Sequence, residues 1–173
     1  MKKNLVKFLI LTSVMISGCS FDLKTKDIAQ DELKEKSVAV IDNYFNLTYV
    51  ENDAVAFGFL QNVSTKIRIP LILLLTIFTT FLGFFIIWKI RNKPFRILLP
   101  LFIILAGAYG NIVDRAIHGF VTDFIHLHYY NQYHFYVFNV ADMLVNIGLF
   151  LALIQYKDFK IILDHLFKKQ INL

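Results

Sequence analysis

Two apolar runs, Ile69 to Trp88 and Phe95 to Val113, constrain this chain more than any other feature: the first carries no charge and the second only Arg96 near its start. A hydrocarbon core about 30 Å thick is crossed by roughly 20 apolar helical residues, so both runs are predicted to span a membrane. Val137 to Tyr156 is as long but contains Asp142. A carboxylate inside a span is costly and marks a functional site. Near the N-terminus, Phe8 to Phe21 is uncharged but short, and reaches spanning length only if Lys7 snorkels and the helix begins close to Lys3. The expectation is four spans, at about residues 4–21, 69–88, 95–113 and 137–156, in a single membrane domain covering 1–173. With 57% hydrophobic residues the composition argues against an ordinary soluble fold, and the single cysteine excludes an intramolecular disulfide framework.

The basic residues sort by topology. Lys2, Lys3 and Lys7 precede the first span; Lys89, Arg91, Lys93 and Arg96 separate the second from the third; Lys157, Lys160, Lys168 and Lys169 follow the fourth. By the positive-inside rule both termini, the loop 89–94 and the tail 157–173 face the cytoplasm, while segments 22–68 and 114–136 face out. The net charge of +5 is thereby explained without a nucleic-acid partner.

Within the first outer segment, residues 27–36 are mixed in charge and read as solvated or weakly helical. From Val38 to Val50 the alternation of Phe45, Leu47 and Tyr49 with Asn46 and Thr48, with a turn at Asp42-Asn43, predicts a small β-hairpin. The second outer segment, Ala116 to Tyr136, is rich in aromatics and histidines and reads as an interfacial amphipathic stretch. The predicted fold class is an all-α integral membrane protein with four transmembrane helices, a small extracytoplasmic β-rich region and a short interfacial amphipathic segment.

One short motif recurs. Asn111-Ile112-Val113-Asp114-Arg115 closes the third span and Asn139-Val140-Ala141-Asp142 opens the fourth, so Asn-x-x-Asp lies on spans running in opposite directions. At a rise of about 1.5 Å per residue, Asp114 lies about 27 Å from Arg96, Asp142 about 22 Å from Lys157 and Asp22 about 28 Å from Lys3. All three carboxylates are expected near the outer membrane boundary. Two carboxyl groups brought close together share a proton, and the pair can then hydrolyse a peptide as aspartic proteases do. Asn111 and Asn139 could orient the carboxyl oxygens, and Arg115 could hold a structural carboxylate or the substrate backbone. The same pattern also fits a local Asp-Arg ion pair, a polar contact between spans or a proton relay.

The run Ala106-Gly107-Ala108-Tyr109-Gly110-Asn111-Ile112-Val113-Asp114-Arg115, followed by Gly119-Phe120-Val121-Thr122-Asp123-Phe124-Ile125 and Phe138-Asn139-Val140-Ala141-Asp142, resembles the signature of the bacterial lipoprotein signal peptidase (signal peptidase II) family. Asp22-Leu23-Lys24-Thr25-Lys26 is similar to that family's Asp-x-x-Thr-Lys, and Asn52 with Ala56-Phe57-Gly58 resembles its Asn-x-Gly-Ala-Ala-Phe element. The resemblance covers roughly residues 5 to 156. It implies that Asp114 and Asp142 are a catalytic dyad supported by Asn111, Arg115 and Asn139, with Asp22, Lys26, Asn52 and Asp123 shaping or stabilising the site. It further implies an aspartic endopeptidase of the bacterial inner membrane that needs no metal or other cofactor and works as a monomer. Its partners would be membrane lipid and diacylglyceryl-modified prolipoproteins, cut just before the lipidated cysteine. Ala54 and Val55 depart from the family's Gly-Ala, Met143 stands where a serine commonly follows the second Asp, and Tyr136-Val137 replace small or proline residues. None of these changes removes a carboxylate.

Three other readings compete. Ile16-Ser17-Gly18-Cys19 fits a lipobox, so the chain could itself be processed before Cys19. His118, His126, His128 and His134, near Asp123, could hold a metal in an outer loop. A non-catalytic channel or transporter using Asp114 and Asp142 as a proton path would need acidic residues deeper in the spans, and none lies between Arg96 and Asp114 or between Asp142 and Lys157.

Overall fold

The computed structural model describes residues 2–53, 64–130 and 132–171. Its helices are α1 (Lys2–Leu33), α2 (Thr65–Lys89), α3 (Phe95–His118), α4 (Val140–Ile154) and α5 (Tyr156–Ile171). Its strands are β1 (Val38–Ile41), β2 (Phe45–Asn52), β3 (Val121–Tyr129) and β4 (Tyr133–His134). Among the described residues α1, α2 and α3 are long and apolar enough to cross a membrane, and α4 joins them as a fourth only when paired with the start of α5 across an 82° bend.

α3 is the axis of the bundle, packed against α1, α2 and α4. The outward faces stay apolar, with Leu74, Phe78, Phe81 and Phe85 on α2 and Phe150 and Leu153 on α4 all exposed. Such a surface is stable against hydrocarbon and costly against water. One end is closed by the basic turn between α2 and α3, where Lys7 Nζ donates to the carbonyls of Arg91 (2.8 Å) and Lys93 (3.0 Å). Beneath it Leu11, Ile87, Ile90, Ile97, Leu98 and Phe102 form the main apolar core. Towards the other end the helices approach very closely. A Cβ added at Gly107 would strike the Ala141 carbonyl, and one added at Gly110 would strike the Asp22 carboxylate.

α1 does not stop where apolarity does. At 32 residues it is about 48 Å long, well beyond a hydrocarbon core of about 30 Å. The segment expected to be solvated or weakly helical is therefore helix as far as Leu33. The reason is tertiary: Ala29 and Leu33 are buried against Phe124 of β3, a contact that overrides weak local propensity. Cys19 lies inside this unbroken helix.

The four strands form one antiparallel sheet in the order β1-β2-β3-β4. The β1–β2 hairpin turns through Asp42, Asn43 and Tyr44, with Asn43 left-handed at φ 65° and the Tyr44 amide donating to the Ile41 carbonyl at 3.0 Å. Within the region read as an interfacial amphipathic stretch, Val121–Tyr129 form β3, an inner strand paired with β2 from Phe45↔Leu127 to Asn52↔Val121. Its Val121, Thr122, Asp123 and Phe124 are buried, so this part of the segment faces protein. α4 begins later than the apolar run 137–156, because Phe138 is bridged to Ile125 of β3 and Asn139 is an extended N-cap.

Candidate active site

Where α1, α3, α4 and β3 converge, nine-tenths buried polar side chains replace the apolar core. Asp22, Lys26, Asp114, Arg115, Thr122, Asp123 and Asn139 are all buried there. Burying charge is tolerated only when each group is paired and hydrogen-bonded, and the connections here are dense.

Lys26 is the hub. Its ammonium lies 2.8 Å from Asp22 Oδ2, 3.6 Å from Asp114 Oδ2 and 2.7 Å from Asn111 Oδ1. Asp22 Oδ1 accepts the Ala141 amide at 2.6 Å, tying α1 to the first turn of α4. The Gly110 position leaves room for the Asp22 carboxylate against α3.

Asp114 is in the last turn of α3, and its position follows from how that helix ends. Gly119 is the left-handed C-cap at φ 83°, a conformation costing about 1–2 kcal/mol for a residue with a Cβ. The turn swings β3 back over the helix, so the Thr122 amide donates to Asp114 Oδ2 at 2.7 Å. His118 Nδ1 meets Asp114 Oδ1 at 2.8 Å. Asp142 is fixed by a capping box at the start of α4. Its amide donates to Asn139 Oδ1 at 3.0 Å, and its Oδ2 accepts the Asn139 amide at 3.3 Å. Asp142 Oδ1 accepts from Asn111 Nδ2 at 3.0 Å, so one amide group on α3 contacts both Lys26 and Asp142.

A second layer backs this arrangement. Asn139 Nδ2 donates to Asp123 Oδ1 at 2.6 Å and to Asn111 Oδ1 at 3.2 Å. Asn52 Nδ2 of β2 donates to Asp123 Oδ2 at 2.8 Å. Burial pushes the Asp123 carboxyl up to about 7; the hydrogen bond from Asn52 opposes this, the charge of Asp142 adds to it, and the hydrogen bond from Asn139 and the nearby Lys26 charge also oppose it.

Thus eight sequence-predicted residues, Asp22, Lys26, Asn52, Asn111, Asp114, Asp123, Asn139 and Asp142, are joined by contacts into one cluster, and Arg115 is buried in the same turn as Asp114. The family-like element Ala56-Phe57-Gly58, with Ala54 and Val55, lies outside the described residues. Sequence reasoning missed two partners of Asp114. The Thr122 amide carries no side-chain signal, whereas His118 could have been found from its i, i+4 spacing to Asp114 on one helix. The histidines grouped as possible metal ligands separate. His118 contacts Asp114, while His126, His128 and His134 stack on β3 and β4 with ring centroids 5.2–5.8 Å apart. Among the described residues no three His, Cys, Asp or Glu side chains form a group that could hold a metal ion.

A cluster of polar and acidic side chains thus lies at one end of an apolar helical bundle. Residues 14–157 match the family model described as Signal peptidase (SPase) II. The chain belongs to the signal peptidase II family. Relatives named lipoprotein signal peptidase include one from Syntrophus aciditrophicus, 37% identical and covering 86% of this chain and 90% of its own. Another, from Syntrophotalea carbinolica, is 36% identical over 90% of this chain and 96% of its own. Two solved structures, each described as a bacterial membrane enzyme, superpose with TM-scores of 0.71 and 0.67 at 26% and 28% identity, each covering 87% of this chain and 89% and 92% of theirs. Signal peptidase II enzymes are membrane peptidases, and the overall fold matches these structures.

Proposed function

We propose that this signal peptidase II is an aspartic endopeptidase whose dyad is Asp114 and Asp142, and that it removes signal peptides from diacylglyceryl-modified prolipoproteins. The observation that carries the reading is the Asn111 amide. Its Nδ2 holds Asp142 at 3.0 Å while its Oδ1 takes the ammonium of Lys26, itself 3.6 Å from Asp114, so the carboxyls of α3 and α4 share one polar cluster.

One carboxylate of the dyad takes a proton from water, and the resulting hydroxide attacks the carbonyl carbon of the residue before the lipidated cysteine. The other carboxyl gives its proton to the carbonyl oxygen. Collapse of the tetrahedral intermediate breaks the C–N bond, and the proton taken from water passes to the departing amine. The two carboxyls carry every proton transfer, so the route requires no metal or other cofactor. Arg115, Asn139 and Asn52 support the dyad or the substrate backbone, and Asp22, Lys26 and Asp123 brace it.

The basic residues at the end opposite the sheet favour the orientation in which both termini lie in the cytoplasm and the enzyme sits in the bacterial inner membrane. A substrate signal helix entering from that side brings its cleavage point to the depth of the dyad. Membrane lipid and the lipidated substrate are the partners, and a monomer suffices because both carboxyls come from one chain.

The test incubates detergent-solubilised protein with a prolipoprotein carrying diacylglyceryl and with its unlipidated form. Cleavage of the lipidated form only, reduced roughly 100- to 10,000-fold in either Asp114→Asn or Asp142→Asn, is the expected result. Failure to cleave where another family member succeeds, or full activity of either variant, overturns the reading.

A further inference from the structure

The two oxygens of Asp114 are held unequally. Oδ2 accepts the Thr122 amide at 2.7 Å and lies 3.6 Å from the Lys26 ammonium, both donors fixed by backbone or deep burial. Oδ1 has a different neighbour, His118 Nδ1 at 2.8 Å, on a side chain 32% exposed against 2% for Asp114. Carboxylate rotation about the Cβ–Cγ bond is soft, so donors on one oxygen alone leave the plane of the group free to swing. A second donor on the other oxygen fixes it.

The His118 ring is itself held. It is the last residue of α3, Gly119 caps the helix through its amide to the Arg115 carbonyl at 2.9 Å, and the left-handed turn lays the Phe120 ring on the imidazole with centroids 5.7 Å apart and planes at 24°. The turn that brings the Thr122 amide to one oxygen thus also clamps the ring that reaches the other. Geometry of this kind matters most to rate, since a misplacement of about 1 Å can cost about 100-fold. The contact is part-buried, with 32% of the His118 side chain and 2% of that of Asp114 exposed, so any cost of its loss to folding is read separately, as Tm.

We infer that His118 is a positioning residue that fixes the plane of the Asp114 carboxylate for the attacking water. The inference rests on the reading of Asp114 as a member of the dyad. With Asp114 ionised the bond requires a hydrogen on Nδ1, which donates to Oδ1. Asparagine carries its amide nitrogen on Cγ, as histidine carries Nδ1, and can replace the donor in place. Glutamine sets its nitrogen one bond further out, and leucine removes the donor.

The experiment measures kcat and KM of the full chain in detergent on lipidated prolipoprotein, with Tm, for wild type, His118→Leu, His118→Asn and His118→Gln. The expected result is a loss of about tenfold or more in kcat for His118→Leu with KM within about twofold, and recovery of most of kcat in His118→Asn but not in His118→Gln. Unchanged kcat in His118→Leu overturns the inference while leaving the function intact. If His118→Leu fails to fold, the other two variants decide: equal kcat in Asn and Gln overturns the inference, and Asn above Gln supports it. A wild-type protein that cleaves no lipidated substrate removes the dyad reading and this inference together.

Discussion

At the sheet end of the bundle Lys26 and Asp22 meet at 2.8 Å with 1% and 0% of their side chains exposed, whereas at the basic end Arg96 and Asp158 make a contact of the same length with 63% and 41% exposed. The distances are identical and the physical situations are not. An exposed pair exchanges one set of hydrated charges for another and gains little. A buried pair has lost its water, so each member depends on its partners to offset desolvation. The difference also explains the density of contacts around Lys26, which faces Asp22, Asp114 and Asn111. Charge at the basic end can settle which way the chain sits in the membrane. Charge at the sheet end must have a geometry.

The strongest way to break this comparison is to remove the hub. Lys26→Met keeps much of the buried stem and deletes the ammonium, leaving Asp22 and Asp114 facing each other's region without their shared cation. Loss of one partner of a buried pair costs about 3–5 kcal/mol, so a large drop in thermal stability in detergent is expected, with loss of cleavage. A variant as stable as the wild type would mean that burial at this end is no different in kind from exposure at the other.

Asp123 sharpens the contrast with a pH axis. Its carboxyl, raised by burial from 3.8 to about 7, binds a proton more tightly folded than unfolded. Its contribution to stability is therefore complete below about pH 4, falls as pH rises and levels off above about pH 7. The slope approaches 1.36 kcal/mol per unit at most, so about 2 kcal/mol is lost between pH 5 and 7. Thermal melts across that range should flatten in Asp123→Asn, whose amide oxygen can still accept from Asn139 Nδ2 while its nitrogen requires the Asn52 side chain to turn its oxygen inward. An unchanged pH slope in that variant would show that the proton is held elsewhere.

Much of this was legible in the residues and some was not, for physical reasons. Ile69 to Trp88 announced α2 because a membrane core imposes length and apolarity, and the alternation from Phe45 to Tyr49 announced β2 because one face of a strand is half-buried. The paired Asn-x-x-Asp motifs gathered most of the site, since Asn139 and Asp142 form a local capping box that spacing alone can suggest. What local pattern could not convey was long-range contact. Residues 27–33 are helical because Ala29 and Leu33 find Phe124, about ninety residues away in sequence, and residues 121–129 form a strand because β2 supplies a partner. The apolar run 137–156 hid a helix start, because Phe138 is taken by Ile125 before the helix can begin.

The smallest effect belongs to the basic end. Arg96 Nη1 donates to Asp158 Oδ2 across 62 residues of sequence, joining the start of α3 to α5 just past the bend that follows α4. Both side chains remain in contact with solvent or headgroups, and Phe159 and Ile162 of α5 pack on the main apolar core independently of that ion pair. Arg96→Ala should therefore cost no more than about 1 kcal/mol, a shift of a few degrees in Tm that shrinks further as salt screens the wild-type pair. Cleavage should be unchanged, because the pair lies at the opposite end of α3 from Asp114. A loss approaching that of Lys26→Met would show that the bend between α4 and α5 is held by charge rather than by packing, and that the two ends of the bundle are energetically alike.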